Sequence, residues 1–165
     1  MMMKHTAAIL LTLSIAHPLL AAEPMSAEAF ATKAAQTDMF EMQAAKIVLE
    51  KGVSDEVKTF ANTMIKDHHR TTSDLKDAAG KDDVKLPAEM GGELQTKLKN
   101  LEALSGPALD AAYVSTQVSV HTDAVELFDK YSKDGEAGAL KSFAMSYYPT
   151  IRMHLIRARS FNVEQ

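Results

Sequence analysis

The amino-acid sequence predicts an all-α fold: a four-helix bundle with a short fifth helix in a long crossover between its two halves. In four long segments, apolar residues recur three and four positions apart, which is the spacing of one helix face. Serine, proline and glycine stand where these segments begin and end. The chain has 165 residues and no cysteine, so we expect a hydrophobic core rather than disulfides to hold the fold.

The first 22 residues have the pattern of a secretory signal peptide. A lysine stands near the start, a mainly apolar stretch follows over residues 7–20, and Ala21 and Ala22 end the segment. The apolar stretch is shorter than the roughly 20 residues that span a membrane. Without cysteine, the chain also has no thiol for a bacterial lipid anchor. We therefore expect residues 23–165 to form one domain that is exported to the periplasm. Association with the outer membrane is left open, but no lipid-anchor cysteine supports it.

The first two helices are expected to form a hairpin. Ser26 can cap a helix that runs to about Lys51, where Gly52 is expected to supply a left-handed stop. Ser54 can cap the second helix, and Gly80 is expected to end it. The connection between the helices is very short, so the two helices should lie antiparallel and side by side.

A polar connection over residues 81–87 begins the crossover. Leucines at helical spacing then predict a short helix over 93–104. A fourth helix is expected over about 107–132, beginning with a proline that suits the first helical position. A final helix is expected over about 136–161, with a kink at Pro149, which lacks the amide that a continuous helix uses.

The charge of the chain argues against a nucleic-acid partner. Removal of the leader takes one lysine from the 18 basic residues and leaves 17 against 22 acidic ones. Affinity for nucleic acid depends on neutralising phosphates, which this acidic balance does not favour. Beyond the leader no apolar run is long enough to span a membrane. The sequence points to no protein partner and leaves assembly into a homo-oligomer open.

Each long helix places one strongly polar residue in its apolar stripe. Glu41 interrupts the stripe of the first helix, and His68 that of the second, with neighbouring His69 on a flank. His121 and His154 occupy the same place in the fourth and fifth helices. If the crossover traverses the bundle, the four inward residues span roughly 10 Å along its axis at about 1.5 Å per residue.

These four inward residues are the candidate ligands of one divalent transition-metal ion, because carboxylates and neutral imidazoles both donate lone pairs to such ions. Asp67 is a further candidate, as a ligand or as the hydrogen-bond partner of a histidine. Met64, one turn before His68, also allows a soft cation such as copper. The alternative is a non-enzymatic structural or interaction protein of the cell envelope, whose buried Glu/His network only sets the helix register.

Four segments spread over nearly the whole chain form a recognisable pattern. The most distinctive is Val-x-x-Phe-Ala-x-x-Met-x-x-Asp-His over residues 57–68. The others are Leu86-Pro87, Gln-Val-Ser-Val-His over 117–121, and Tyr148-Pro149 followed by His154. On these segments the chain resembles the bacterial family DUF4142, which is described as ferritin-like and often labelled an outer-membrane protein. The resemblance implies a ferritin-like bundle in the cell envelope and no established activity.

The candidate ligands depart from those of ferritin-like di-iron proteins, which use a Glu-x-x-His motif on each of two helices. The positions three before the three inward histidines hold isoleucine or valine. A ferroxidase centre is therefore not expected. The sequence also contains no nucleophile elbow, no glycine-rich phosphate loop and no His-Glu-x-x-His motif. These absences favour a binding or structural role over an enzymatic one.

Overall fold

The computed structural model describes residues 25–161, and the predicted all-α bundle with a short helix in its crossover is confirmed. No helix of this range is long and apolar enough to cross a membrane. The predicted signal peptide, residues 1–22, lies outside the described residues. In chain order the helices are α1 (Ala27–Lys51), α2 (Asp55–Lys81), α3 (Gly92–Glu102), α4 (Gly106–Asp134) and α5 (Ala139–Ser160).

The four long helices form two antiparallel hairpins, α1–α2 and α4–α5, which pack against each other. The ring of Phe30, near the start of α1, stacks on that of Tyr131, near the end of α4. Phe143, near the start of α5, lies at the same end of the bundle. Helices α2 and α4 therefore run parallel, as a crossover that traverses the bundle requires, and α3 packs on α1 within that crossover.

The core consists of two apolar clusters with a polar layer between them. One cluster is centred on Phe40, Phe60 and Tyr113, and the other on Phe30 and Phe128. Along every long helix, the residues between the two clusters include buried polar side chains. This polar layer contains Asp38, Glu41, His68, Thr71, Gln117, His121 and His154.

The end of α1 corrects one prediction. Gly52 has φ −73° and ψ 167°, an extended conformation rather than the predicted left-handed one. A Cβ atom at this position would collide with Oδ1 of Asp110 and would lie 2.7 Å from the carbonyl oxygen of Val48. Glycine is needed here because a carboxylate from α4 approaches the backbone closely, and not because of a positive φ.

The end of α2 corrects a second prediction. The helix passes through Gly80 and ends at Lys81, and the left-handed residue that follows is Asp83, with φ 56°. One glycine costs a helix about 1 kcal/mol and does not end it when neighbouring residues pack well. Here the preceding residues, Ala78 and Ala79, are both buried in the core.

Two aspartates tie the hairpins together at helix ends. Asp110 of α4 accepts hydrogen bonds from the backbone N–H groups of residues 53 and 54, at 3.1 and 2.8 Å, where α2 begins. Asp82, just after α2, accepts from the N–H groups of residues 139 and 140, at 2.8 and 2.7 Å, where α5 begins. Helix α5 therefore starts at Ala139, three residues later than predicted, and runs through Pro149 to Ser160. Both carboxylates neutralise free amides at the positive end of a helix.

We expect Asp110→Ala to lower the free energy of unfolding by about 1–3 kcal/mol, because two part-buried amides lose a charged acceptor. Urea denaturation at neutral pH measures this difference. Asp123→Ala removes the same charge from an exposed position on α4 and should change stability little. Equal losses in the two variants would show that Asp110 is not a structural tie.

Candidate metal centre

Three of the four predicted site residues converge in the polar layer. His68 of α2, His121 of α4 and His154 of α5 can each offer one ring nitrogen such that all three lie within 4.8 Å of one another. The ring centroids are 5.3–6.1 Å apart. All three side chains are buried, whereas His69 is exposed, as predicted.

Carboxylates orient two of these rings. Nδ1 of His68 donates to Oδ1 of Asp38 at 2.7 Å, and Nε2 of His154 donates to Oδ2 of Asp67 at 3.0 Å. An ionised carboxylate can only accept, so the N–H of each ring must lie on the nitrogen that faces it. Such a carboxylate partner fixes the tautomer and the orientation of a histidine and raises its basicity as a ligand.

The third ring is oriented by the main chain of its own helix. Nδ1 of His121 donates to the carbonyl oxygen of Gln117 at 3.1 Å, which leaves its Nε2 for another partner. Nε2 of His68 and Nδ1 of His154 are buried and have no hydrogen-bond partner among residues 25–161. Each neutral ring thus has one nitrogen engaged by an acceptor and one lone pair available.

The separation of the nitrogens suits a small metal ion after a modest adjustment. Bonds of about 2.0–2.1 Å in a tetrahedral site place ligand nitrogens roughly 3.3 Å apart. The nitrogens here are at most 4.8 Å apart, so movements of about 1 Å or less per ring would close the difference.

Glu41 lies beside this group rather than among the converging nitrogens. Its Oε2 accepts from Nε2 of Gln117 at 2.5 Å, and its Oε1 is 3.7 Å from Nδ1 of His121, the nitrogen already bonded to a carbonyl. Burial raises the pKa of Glu41 to about 7, although the charge of His68 and the hydrogen bond from Gln117 oppose the rise. The carboxyl can therefore gain or lose its proton near neutral pH.

The pKa values of the histidines favour neutral rings at two positions. Burial, together with the charges of the other two histidines, holds the pKa of His121 well below its usual value. Burial also lowers the pKa of His154, against the opposing effect of Asp67. For His68, burial lowers the pKa, but the hydrogen bond and the charge of Asp38 outweigh it and the net shift is upward. Neutral imidazoles are the form that binds a metal ion.

Asp38 is the residue that the sequence reasoning missed. Besides His68, its carboxylate accepts from the hydroxyls of Thr71 and Thr72 at 3.0–3.1 Å. Asp38 stands three residues before Glu41 and four after Ala34, so it shares their face of α1. Its spacing could have identified it. The prediction, however, took one strongly polar residue from the apolar stripe of each helix, and in α1 that residue was Glu41.

The two additional candidates lie in different surroundings. Asp67 is partly exposed and bonds to His154, which is the hydrogen-bonding role that the sequence offered as one of two. Met64, one turn before His68, is fully buried in the neighbouring apolar cluster.

The comparisons with known proteins give one matching family and several structures of similar fold. The family model described as "Domain of unknown function (DUF4142)" matches residues 16–161. No curated protein sequence matches the chain.

Three solved structures share the fold at low sequence identity. A DUF305 protein of Streptomyces coelicolor, provisionally described as secreted, has a TM-score of 0.69 and 14% identity, over 84% of this chain and 93% of that one. A DUF305 fragment from Deinococcus radiodurans gives 0.73 and 12%, over 84% and 96%. The protein CopM in its Cu(II)-bound form gives 0.70 and 14%, over 84% and 97%. At these identities the likeness concerns the fold.

We expect Glu41→Gln to change how the stability of the metal-free protein depends on pH. Because burial raises the pKa of Glu41 from 4.5 to about 7, the folded state holds a proton in this range that the unfolded state releases. The resulting stabilisation is complete at acidic pH and is lost as the pH rises through about 7, whereas glutamine does not titrate.

The free energy of unfolding of Glu41→Gln, relative to the wild type, should therefore increase by up to about 3 kcal/mol between roughly pH 4 and pH 8. Urea denaturation in the presence of a chelator measures the profile. Glu126→Gln, an exposed site on α4, should give a constant difference. A constant difference for Glu41→Gln as well would show that Glu41 does not titrate abnormally.

Proposed function

We propose that this chain, which belongs to the DUF4142 family, is an exported protein that binds one divalent transition-metal ion through His68, His121 and His154. The observation that carries the proposal is the orientation of the three rings. In its neutral form each ring uses one nitrogen as a hydrogen-bond donor and keeps a lone pair on the other, and one nitrogen from each ring lies within 4.8 Å of the other two. A network that served only to set the helix register would need no such group of unpaired lone pairs.

The charges around the centre also favour a cation. A divalent ion in a buried position needs nearby negative charge to offset the loss of its hydration. Asp38 is buried behind His68, Asp67 stands behind His154, and Glu41 is buried beside His121. The sequence offered Glu41 as a fourth ligand; its position beside His121 favours a role in balancing the charge of the ion.

Copper(II) is the first ion to test. Imidazole nitrogens bind copper(II), zinc and other late transition-metal ions, and copper(II) lies at the top of the usual order of affinity. CopM, which shares this fold, is described in a Cu(II)-bound form. Export would expose the protein to metals outside the cytoplasm. The leader pattern and the provisional description of the Streptomyces neighbour as secreted support it.

Protein purified without a histidine tag and stripped with a chelator should bind one copper(II) ion per chain in calorimetric titration. We expect His121→Gln and His154→Gln to weaken binding by about 100-fold or more, because each removes one of three ligands. His69→Gln removes an exposed histidine next to the site and should leave the affinity unchanged. If the wild type bound no metal stoichiometrically, or if the three variants all bound copper(II) as tightly as the wild type, the polar network would have a structural role alone.

The orienting carboxylate of His68 should matter without contacting the metal. We expect Asp38→Asn to weaken binding by about 10–100-fold, because the amide holds the ring less strongly and removes a buried negative charge. Asp77→Asn, an exposed change on α2, serves as the control in the same titration. If Asp38→Asn bound copper as tightly as Asp77→Asn, the hydrogen bond to His68 would not support the site.

A further inference from the structure

A small, largely enclosed cavity adjoins the three-histidine centre. Its volume is about 20 Å³, which is room for one molecule of the size of water. His68 and His121 both line it. Neither Glu41 nor Gln117 does, so the cavity lies on the other side of the histidine layer from that pair.

The walls of the cavity are mainly apolar. Ala34, Ala124 and Ile151 each lie about one helical turn from the histidine layer, toward the end of the bundle that holds the Phe30 cluster. Phe128 and Phe143 lie beyond them. The small side chains of Ala34 and Ala124 leave the space open. The rings of Phe128 and Phe143 separate the cavity from the end of the bundle that holds the Phe30 cluster.

Besides the two histidines, the polar residues in these walls are Thr37, Asp38 and Thr71. The carboxylate of Asp38 already accepts from His68, Thr71 and Thr72, and the hydroxyl proton of Thr71 is directed to it. A water molecule is retained in a protein interior when it has two to four polar partners. A metal ion held by His68 and His121 would supply the strong partner that the apolar part of the wall does not.

The number of protein ligands also indicates a small bound molecule. Three histidines fill three positions around the ion. In a four-coordinate site, tetrahedral for zinc or square-planar for copper(II), a fourth position that the protein leaves open takes water or another small molecule. Among residues 25–161, only the three histidines form such a convergent group of His, Asp and Glu side chains. The cavity borders two of these three side chains, so a molecule in it would lie close to an ion that they hold.

We infer that the metal keeps one coordination position open toward this cavity and there binds one solvent-derived ligand, water or hydroxide, while larger donors are excluded. This inference rests on the proposed function and adds the class of ligand that the metal accepts. Imidazole, with five ring atoms, exceeds a cavity of about 20 Å³, whereas one oxygen atom fits it.

Electron paramagnetic resonance of the copper(II)-loaded protein tests the inference. In water enriched with the magnetic isotope of oxygen, the copper lines of the wild type should broaden, because one exchangeable oxygen is bound. Free imidazole at millimolar concentration should leave the spectrum unchanged. Absence of broadening, or a new spectrum on addition of imidazole, would overturn the inference even when copper binds stoichiometrically.

Variants that fill the cavity locate the ligand. Ala124→Leu on α4 and Ala34→Val on α1 should each retain one copper ion per chain and lose the isotopic broadening. Ala111→Leu makes the same change at an exposed position of α4 and should keep the broadening. Broadening that persists in both filled variants would place the oxygen ligand elsewhere. Failure of the wild type to bind any metal is read separately, from the stoichiometry, and would overturn the proposed function itself.

Discussion

The structure depends on hydrogen bonds that join polar side chains of different helices in the middle of the bundle. Burying a histidine or a carboxyl group without a partner costs free energy, so each needs a partner, and three of these pairs join different helices. Asp38 and His68 join α1 to α2, Asp67 and His154 join α2 to α5, and Glu41 and Gln117 join α1 to α4. Shifting any one helix by a turn would break at least one of these pairs.

These bonds and the aspartate ties at the helix ends act at different levels of the bundle. Asp110 and Asp82 fix where α2 and α5 begin relative to the opposite hairpin. The polar layer then fixes which faces of the helices meet at mid-height. The two apolar clusters supply most of the burial, but apolar contacts alone are tolerant of small shifts. Directional bonds at three levels give the bundle one register, and that register brings three histidine rings together.

The sequence was sufficient for the fold and for the inward position of Glu41 and of the three histidines, because helical periodicity alone determines which residues face inward. It failed where the answer depends on a distant residue. Gly52 looked like a left-handed stop, yet its need for glycine comes from Asp110, nearly sixty positions away. Asp38 was not among the predicted site residues, yet it pairs with a histidine on the next helix. Periodicity gives the inward face of a helix but not the partner that the face meets.

The unpaired atoms of the polar layer favour the proposed metal site over a purely structural network. A structural network is most stable when every lone pair and every N–H is used. In this layer one nitrogen of each ring is hydrogen-bonded, and the buried atoms without a partner include Nε2 of His68, Nδ1 of His154 and Oε1 of Glu41. Leaving buried acceptors unpaired costs free energy in the metal-free protein, and a bound cation would recover that cost. The fixed orientation of the rings and the separation of at most 4.8 Å between one nitrogen of each support the proposed metal site, because ion binding would then require only small movements of the rings.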